Sequence, residues 1–165
     1  QLAWRRHPDR VSGAVFAASA TAFARTGREA RLLGLLSSGV GGAAEWRCRM
    51  LAGLEEQLPP PLDHRWAYNQ FRSTTASAIT AATAVITRFD SSAWIGGMRL
   101  PTAVVLTRRD RAIRPGQQRR LAALLPDATT YEVDAGHACC VLEAEKFTPA
   151  LLAACASVTS RLAQR

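Results

Sequence analysis

Two residues carry the chemistry this sequence most readily supports. They are Asp110, in "TRRDRAIRP" (residues 107–115), and His137, in "DAGHACC" (residues 134–140), which lie 27 residues apart. A carboxylate beside an imidazole accepts the Nδ1–H, fixes the tautomer and stabilises the imidazolium that forms when the ring takes a proton. Nε2 on the opposite side of the ring is then the base that activates a nucleophile or a water. Each residue alone has a plainer reading, because Asp is common where strands end in turns and His packs in loops. Asp134 also precedes His137 closely, but it suits a turn cap better than a ring partner. What favours Asp110 with His137 is the spacing, which is about one strand–helix–strand excursion, and the elements that must position both.

Those elements read as a parallel α/β arrangement. Residues 1–7 are the end of a helix stopped by Pro8, with Arg5, Arg6 and His7 at its negative end. Val11, Ala14, Val15 and Phe16 form a short apolar run of the kind buried on both faces of a parallel sheet. Residues 21–75 read as short helical pieces broken by "SSGVGG" and "LPPPLD", more like a lid than a sheet layer. A helix is expected over 75–89, with Ile79, Ala82, Val85, Ile86 and Phe89 at helical spacing. "RLPTAVVLTRRD" is the clearest strand; Pro115 then opens a helix with Leu121, Leu124 and Leu125 as its stripe, and Pro126 closes it. "ATTYEVD" is the next strand. A last helix runs from about 146 to 162, with Phe147, Leu151, Leu152, Cys155, Val158 and Leu162 expected on its inner side. Strands alternating with helices give a parallel sheet, and such sheets bind ligands beyond the carboxyl ends of their strands. Asp110 and His137 both fall just past such an end.

Composition narrows the function classes. The chain has 165 residues, 48% hydrophobic and 21% charged, enough for one domain with a core. No apolar run approaches the roughly 20 residues of a membrane span, so no membrane span and a cytoplasmic location are expected. The net charge of +8 invites nucleic acid as a partner. Lys146 is the only lysine, however, and the arginines are dispersed without interleaved aromatics, so no nucleic-acid partner is expected. Cys48, Cys139, Cys140 and Cys155 make no CxxC pair, and His7, His64 and His137 have no ligand spacing. No disulfide framework, no metal site and no cofactor are therefore expected.

The ordered set is similar to the C-terminal half of the α/β-hydrolase fold family. "LAWRRHPDRVSGAVFAASA" resembles the end of the helix behind the nucleophile elbow and the sixth core strand. "FDSSAWIGGMRLPTAVVLTRRDRAIRPGQQRRLAALLPDATTYEVDAGH" resembles the seventh strand, its acid loop, the next helix, the eighth strand and the histidine loop. The resemblance implies a partial fold of about three parallel strands with flanking helices and a helical cap insert. It assigns residues 1–20 to the end of the nucleophile helix and the sixth strand, 21–75 to the cap, and 76–165 to the C-terminal core. It makes Asp110 the triad acid and His137 the triad base, and it puts the cap aromatics Trp46, Trp66, Tyr68 and Phe71 where they would line a pocket or simply pack the cap. It implies hydrolysis of a small-molecule carboxylic ester or similar acyl bond.

The family's elbow, G-x-S-x-G, does not occur in these residues, and the resemblance places it a few residues before Gln1. The chain is therefore expected to be a portion of an enzyme that needs the other half of the fold, and to be inactive by itself. An Asp-nucleophile member, dehalogenase- or epoxide-hydrolase-like, and a non-catalytic binding module of the same fold remain alternatives. Cys139 and Cys140 are expected to be small buried residues behind the histidine loop, and Arg108, Arg109 and Arg111 solvated neighbours of Asp110.

Overall fold

The computed structural model describes residues 1–23 and 73–164. Its contacts divide the chain into one unit made of Gln1–Ala22 with Asp90–Arg165 and a second made of Phe23–Phe89. The first unit opens with α1 (Leu2–Arg6), which carries Arg5 and Arg6 in its last turn and His7 as its C-cap. Pro8 then starts a 3-10 turn, Pro8–Arg10. β1 (Ala14–Ala17) follows. After the second unit come β2 (Thr102–Thr107) and β3 (Ala128–Val133), and the three strands pair in parallel in the order β1–β2–β3. Ala17 lies opposite Val105 and Thr107 opposite Val133, so the carboxyl ends of all three strands share one edge of the sheet.

Every residue of β2 is buried. A central parallel strand is covered on both faces, which is why its sequence is an unbroken apolar run and not an alternating one. Ala103 and Val105 face one side, where they meet Val133, Phe147, Ala154 and Val158. Val104 faces the other, where it packs with Phe16, Ile95, Met98, Leu121 and Leu125. The first layer is supplied by α5 (Ala144–Leu162) and the second by α3 (Pro115–Leu124) and the turn Ile95–Gly97. Trp4 of α1 stacks on Trp94 at 6.4 Å between ring centroids, with the Arg5 guanidinium over Trp94. Arg161, near the end of α5, donates at 2.6 Å to the carbonyls of both Thr102 and Asp127, tying the helix to the amino ends of β2 and β3.

One close approach fixes the distance between α5 and the sheet. A Cβ on Gly13 would lie 2.5 Å from Val158 Cγ1 and 3.2 Å from the Pro101 carbonyl oxygen. Val158 is buried and β-branched, so its rotamer has little room to yield. Gly13→Ala is expected to destabilise the fold by about 1–3 kcal/mol through overpacking. A urea midpoint equal to that of the parent protein would contradict this.

In the second unit, α2 (Ala76–Arg88) starts as the sequence suggests, with the Thr75 hydroxyl accepting from the Ala78 amide at 3.2 Å. Its stripe is not wholly covered, since Val85 and Ile86 are exposed. Two expectations for α5 are also corrected. Leu152 and Cys155 lie on its solvent side, while Phe147, Leu151, Ala154, Val158 and Leu162 pack on the sheet. The true stripe passes through Ala154, one position before Cys155, and a small alanine gives a weak apolar signal. No helix among the described residues is long and apolar enough to cross a membrane.

Candidate functional site

The two loops that carry Asp110 and His137 are extensions of neighbouring strands. Past the end of β2, the Arg108 amide donates to Val133 and the Arg109 amide to Ala135, at 2.9 and 3.0 Å. The ladder between β2 and β3 thus continues beyond the strands and sets the acid loop against the histidine loop. His137 follows Gly136 directly, ahead of the short α4 (Cys139–Leu142). The result brings His137 Nδ1 to 2.9 Å from Asp110 Oδ2. The Asp110 side chain is fully buried, whereas that of His137 is 50% exposed. The two residues singled out in the sequence are therefore in contact, one held inside and the other at the surface.

Every lone-pair direction of the Asp110 carboxylate has a donor. Oδ1 accepts from the amides of Ala112 and Ile113, both at 2.8 Å, and so closes the turn that follows. Oδ2 accepts from the Thr107 hydroxyl at 3.0 Å and faces His137. Behind Thr107 stands Gln118, a buried residue of α3. Its Nε2 donates to the Ile113 carbonyl at 2.6 Å and to the Thr107 hydroxyl at 2.9 Å, and its Oε1 accepts from the Thr107 amide at 2.9 Å. The hydroxyl has one proton, which Asp110 takes, and the amide has two, which Ile113 and Thr107 take. The polarity of this relay is consistent from Gln118 through Thr107 to Asp110. Unpairing such groups in a buried site costs about 1–3 kcal/mol each. Gln118→Leu, close in shape, is expected to lower stability by about 2–4 kcal/mol in urea unfolding, because it strands the Thr107 amide and the Ile113 carbonyl. A loss below about 0.5 kcal/mol, the range of neutral surface changes, would show that Gln118 does not hold this corner.

A second polar cluster lies beside the histidine loop. Glu143 Oε2 accepts from the Gly136 amide at 3.0 Å, while Oε1 pairs with Arg109 and with Lys146, the latter at 2.8 Å. Arg109 also donates to the Asp134 carbonyl at 2.8 Å and lies 3.4 Å from the Asp134 carboxylate, which Arg108 shares. Arg108 and Arg109 are exposed, as expected, and are also ion-paired with Asp134, whose carboxylate faces them and not His137. Lys146, the Gly136 amide and Arg109, in that order, hold the Glu143 carboxyl down at about 2. Because the folded value lies below the ordinary 4.5, the stability from this group is present above that pH and is lost as pH falls from 4.5 toward about 2. The difference in urea midpoint between the parent protein and Glu143→Gln should therefore be full at pH 7 and shrink at pH 3. A difference unchanged across that interval would contradict the pairing.

The cysteines beside His137 separate. Cys139 is buried, and burial pushes its thiol up to about 11, which leaves little thiolate near neutral pH. Cys140 is exposed, which corrects the expectation that both are buried: successive positions on one helical turn point about 100° apart, so only one can face the core. Ala18, just past β1 on the same sheet edge, has a left-handed φ of 43°, a strained position for a non-glycine residue. Trp46, Trp66, Tyr68 and Phe71 lie outside the described residues. Among the described residues no group of three or more His, Cys, Asp or Glu is placed to hold a metal ion.

Sequence reading reached Asp110 and His137, took Arg109 only as a neighbour of Asp110, and passed over Thr107, Gln118 and Glu143. A glutamine one turn after Pro115 looks like a surface residue. The available signal was its position on the same helical face as Leu121 and Leu125, three and seven residues on.

No family model matches the chain. It is 35% identical over 82 residues to the polyketide synthase ThaQ of Burkholderia thailandensis, a stretch that covers 46% of this chain and 4% of the synthase. In three dimensions it is similar to a hydrolase from Pseudomonas aeruginosa PA01, with a TM-score of 0.73, 18% identity, and coverage of 92% of this chain and 58% of that one. It is also similar to the enol-lactonase from Burkholderia xenovorans LB400, with a TM-score of 0.70, 20% identity, and coverage of 92% and 59%. The chain thus spans a little under three fifths of these solved relatives. Three parallel strands with their flanking helices, laid out as in these proteins, make this chain part of an α/β-hydrolase fold.

Proposed function

We propose that this chain supplies the acid and the base of a hydrolase acting on a carboxylic ester or similar acyl bond. Asp110 would orient His137, and His137 would take the proton of a serine nucleophile and return it to the leaving group. The observation that carries this reading is the pairing of a half-exposed imidazole with a buried, fully satisfied carboxylate at 2.9 Å, beyond the carboxyl ends of parallel strands. A carboxylate at Nδ1 leaves the proton-accepting nitrogen on the far side of the ring, where general-base chemistry needs it. The serine and the oxyanion donors would come from the rest of the fold, since these 165 residues contain no G-x-S-x-G. A small-molecule acyl substrate would bind at this sheet edge.

The test is covalent labelling of the protein that carries this chain with a fluorophosphonate, which reacts with activated serines. The reading expects one labelled serine, and it expects Asp110→Asn or His137→Ala to abolish the label. Intact hydrolysis without any label would move the protein to the Asp-nucleophile branch. Absence of both label and turnover would favour a binding module.

A further inference from the structure

The carboxylate of Glu143 is placed to do something its position in the chain does not require. Glu143 is the N-cap residue of α5, yet its side chain makes no capping bond to that helix. It turns instead to the histidine loop, where Oε2 takes the Gly136 amide at 3.0 Å, one residue before His137. The other oxygen meets Arg109, one residue before Asp110. Arg109 in turn donates to the Asp134 carbonyl at the base of the histidine loop. Lys146, one turn along α5, holds the same oxygen at 2.8 Å. Besides the bonds from Arg108 and Arg109 to Asp134 and Ala135, two ties reach the His137 end of the loop: inside, the Asp110–His137 bond, and at the surface, Arg109–Glu143–Gly136.

We infer that Glu143 is a positioning residue, and that its bridge from Arg109 to the Gly136 amide holds His137 in register with Asp110. This rests on the catalytic reading of Asp110 and His137. The inner bond alone constrains one end of a half-exposed ring. A Cβ on Gly136 would meet no atom within 4 Å, so no side-chain packing holds the residue that precedes His137. A second tie at Gly136 removes the rotation that would let the imidazole swing toward solvent. Glu143 bonds to the Gly136 amide, Arg109 and Lys146 and not to the side chain of Asp110 or His137, so it acts through the loop.

The experiment compares Glu143→Ala, Glu143→Gln and His137→Ala in the protein that carries this chain, with p-nitrophenyl butyrate as substrate. Glu143→Ala is expected to lower kcat by about 10²-fold with KM within about twofold, the scale of effect seen when catalytic groups are misplaced by about 1 Å. Glu143→Gln keeps an oxygen for the Gly136 amide and should recover most of that loss. The second readout is the downfield Nδ1–H proton resonance of His137, which Glu143→Ala should broaden or remove and Glu143→Gln should retain. If Glu143→Ala keeps both kcat and the resonance while His137→Ala is dead, the positioning role is overturned and the catalytic reading stands. If Glu143→Ala merely lowers stability, with kcat of the folded fraction and the resonance intact, the role is likewise overturned. If His137→Ala retains turnover, the catalytic reading itself has failed.

Discussion

Asp110→Asn should lower kcat for ester hydrolysis by about 10⁴-fold while leaving the fold intact, because an amide in this position imposes the wrong tautomer on the base. The carboxylate accepts on every side: the amides of Ala112 and Ile113 at one oxygen, and the Thr107 hydroxyl with His137 at the other. An asparagine must turn its NH₂ toward one of these pairs. Facing Ala112 and Ile113, it sets donors against two backbone amides that have no other orientation to adopt. Facing Thr107 and His137, it forces Nδ1 to accept, which places the imidazole proton on Nε2 and removes the base. The hydroxyl of Thr107 can rotate and backbone amides cannot, so the second orientation is the one the site permits. The fold survives and the chemistry does not. Steady-state kinetics with p-nitrophenyl butyrate, with circular dichroism to verify folding, checks this. A folded Asp110→Asn protein within tenfold of the parent kcat would mean that Asp110 does not set the tautomer.

The framework around this pair was legible because each element is locally consistent with its place in the fold. An unbroken, partly β-branched apolar run from Ala103 to Leu106 suits a strand covered on both faces, and β2 is that strand. Pro115 marks the first residue of α3, where its missing N–H costs nothing, and Leu125 stands just past the last. With β3 in parallel register beside β2, the spacing of Asp110 and His137 follows from topology.

The supporting groups were less legible, for physical reasons. Gln118 and Glu143 are polar residues on helices or at helix ends, where solvent exposure is the ordinary expectation. Their importance comes from partners distant in sequence: Glu143 meets Arg109 from another strand's loop, and Gln118 reaches back to Thr107 and Ile113. The misplaced faces of α5 have a different origin. Leucine and cysteine outweigh alanine in any apolar count, yet Ala154 lies on the inner face with Phe147, Leu151 and Val158, while Leu152 and Cys155 are exposed.

His137→Ala bears on the whole account most directly, because the imidazole is the group through which every other contact here acts. Thr107 and Gln118 hold Asp110, and Asp110 holds the ring; on the proposed reading the ring would move the proton. Removing the base from a catalytic triad costs about 10⁶-fold in kcat, more than loss of the acid, since no neighbour can substitute for it. The decisive measurement is turnover of p-nitrophenyl butyrate by the protein that carries this chain, parent against His137→Ala, at saturating substrate and neutral pH. A fall of about 10⁶-fold, with the fold retained, is the expected result. A folded His137→Ala protein that hydrolyses the ester within tenfold of the parent rate would contradict the assignment of Asp110 and His137 as acid and base.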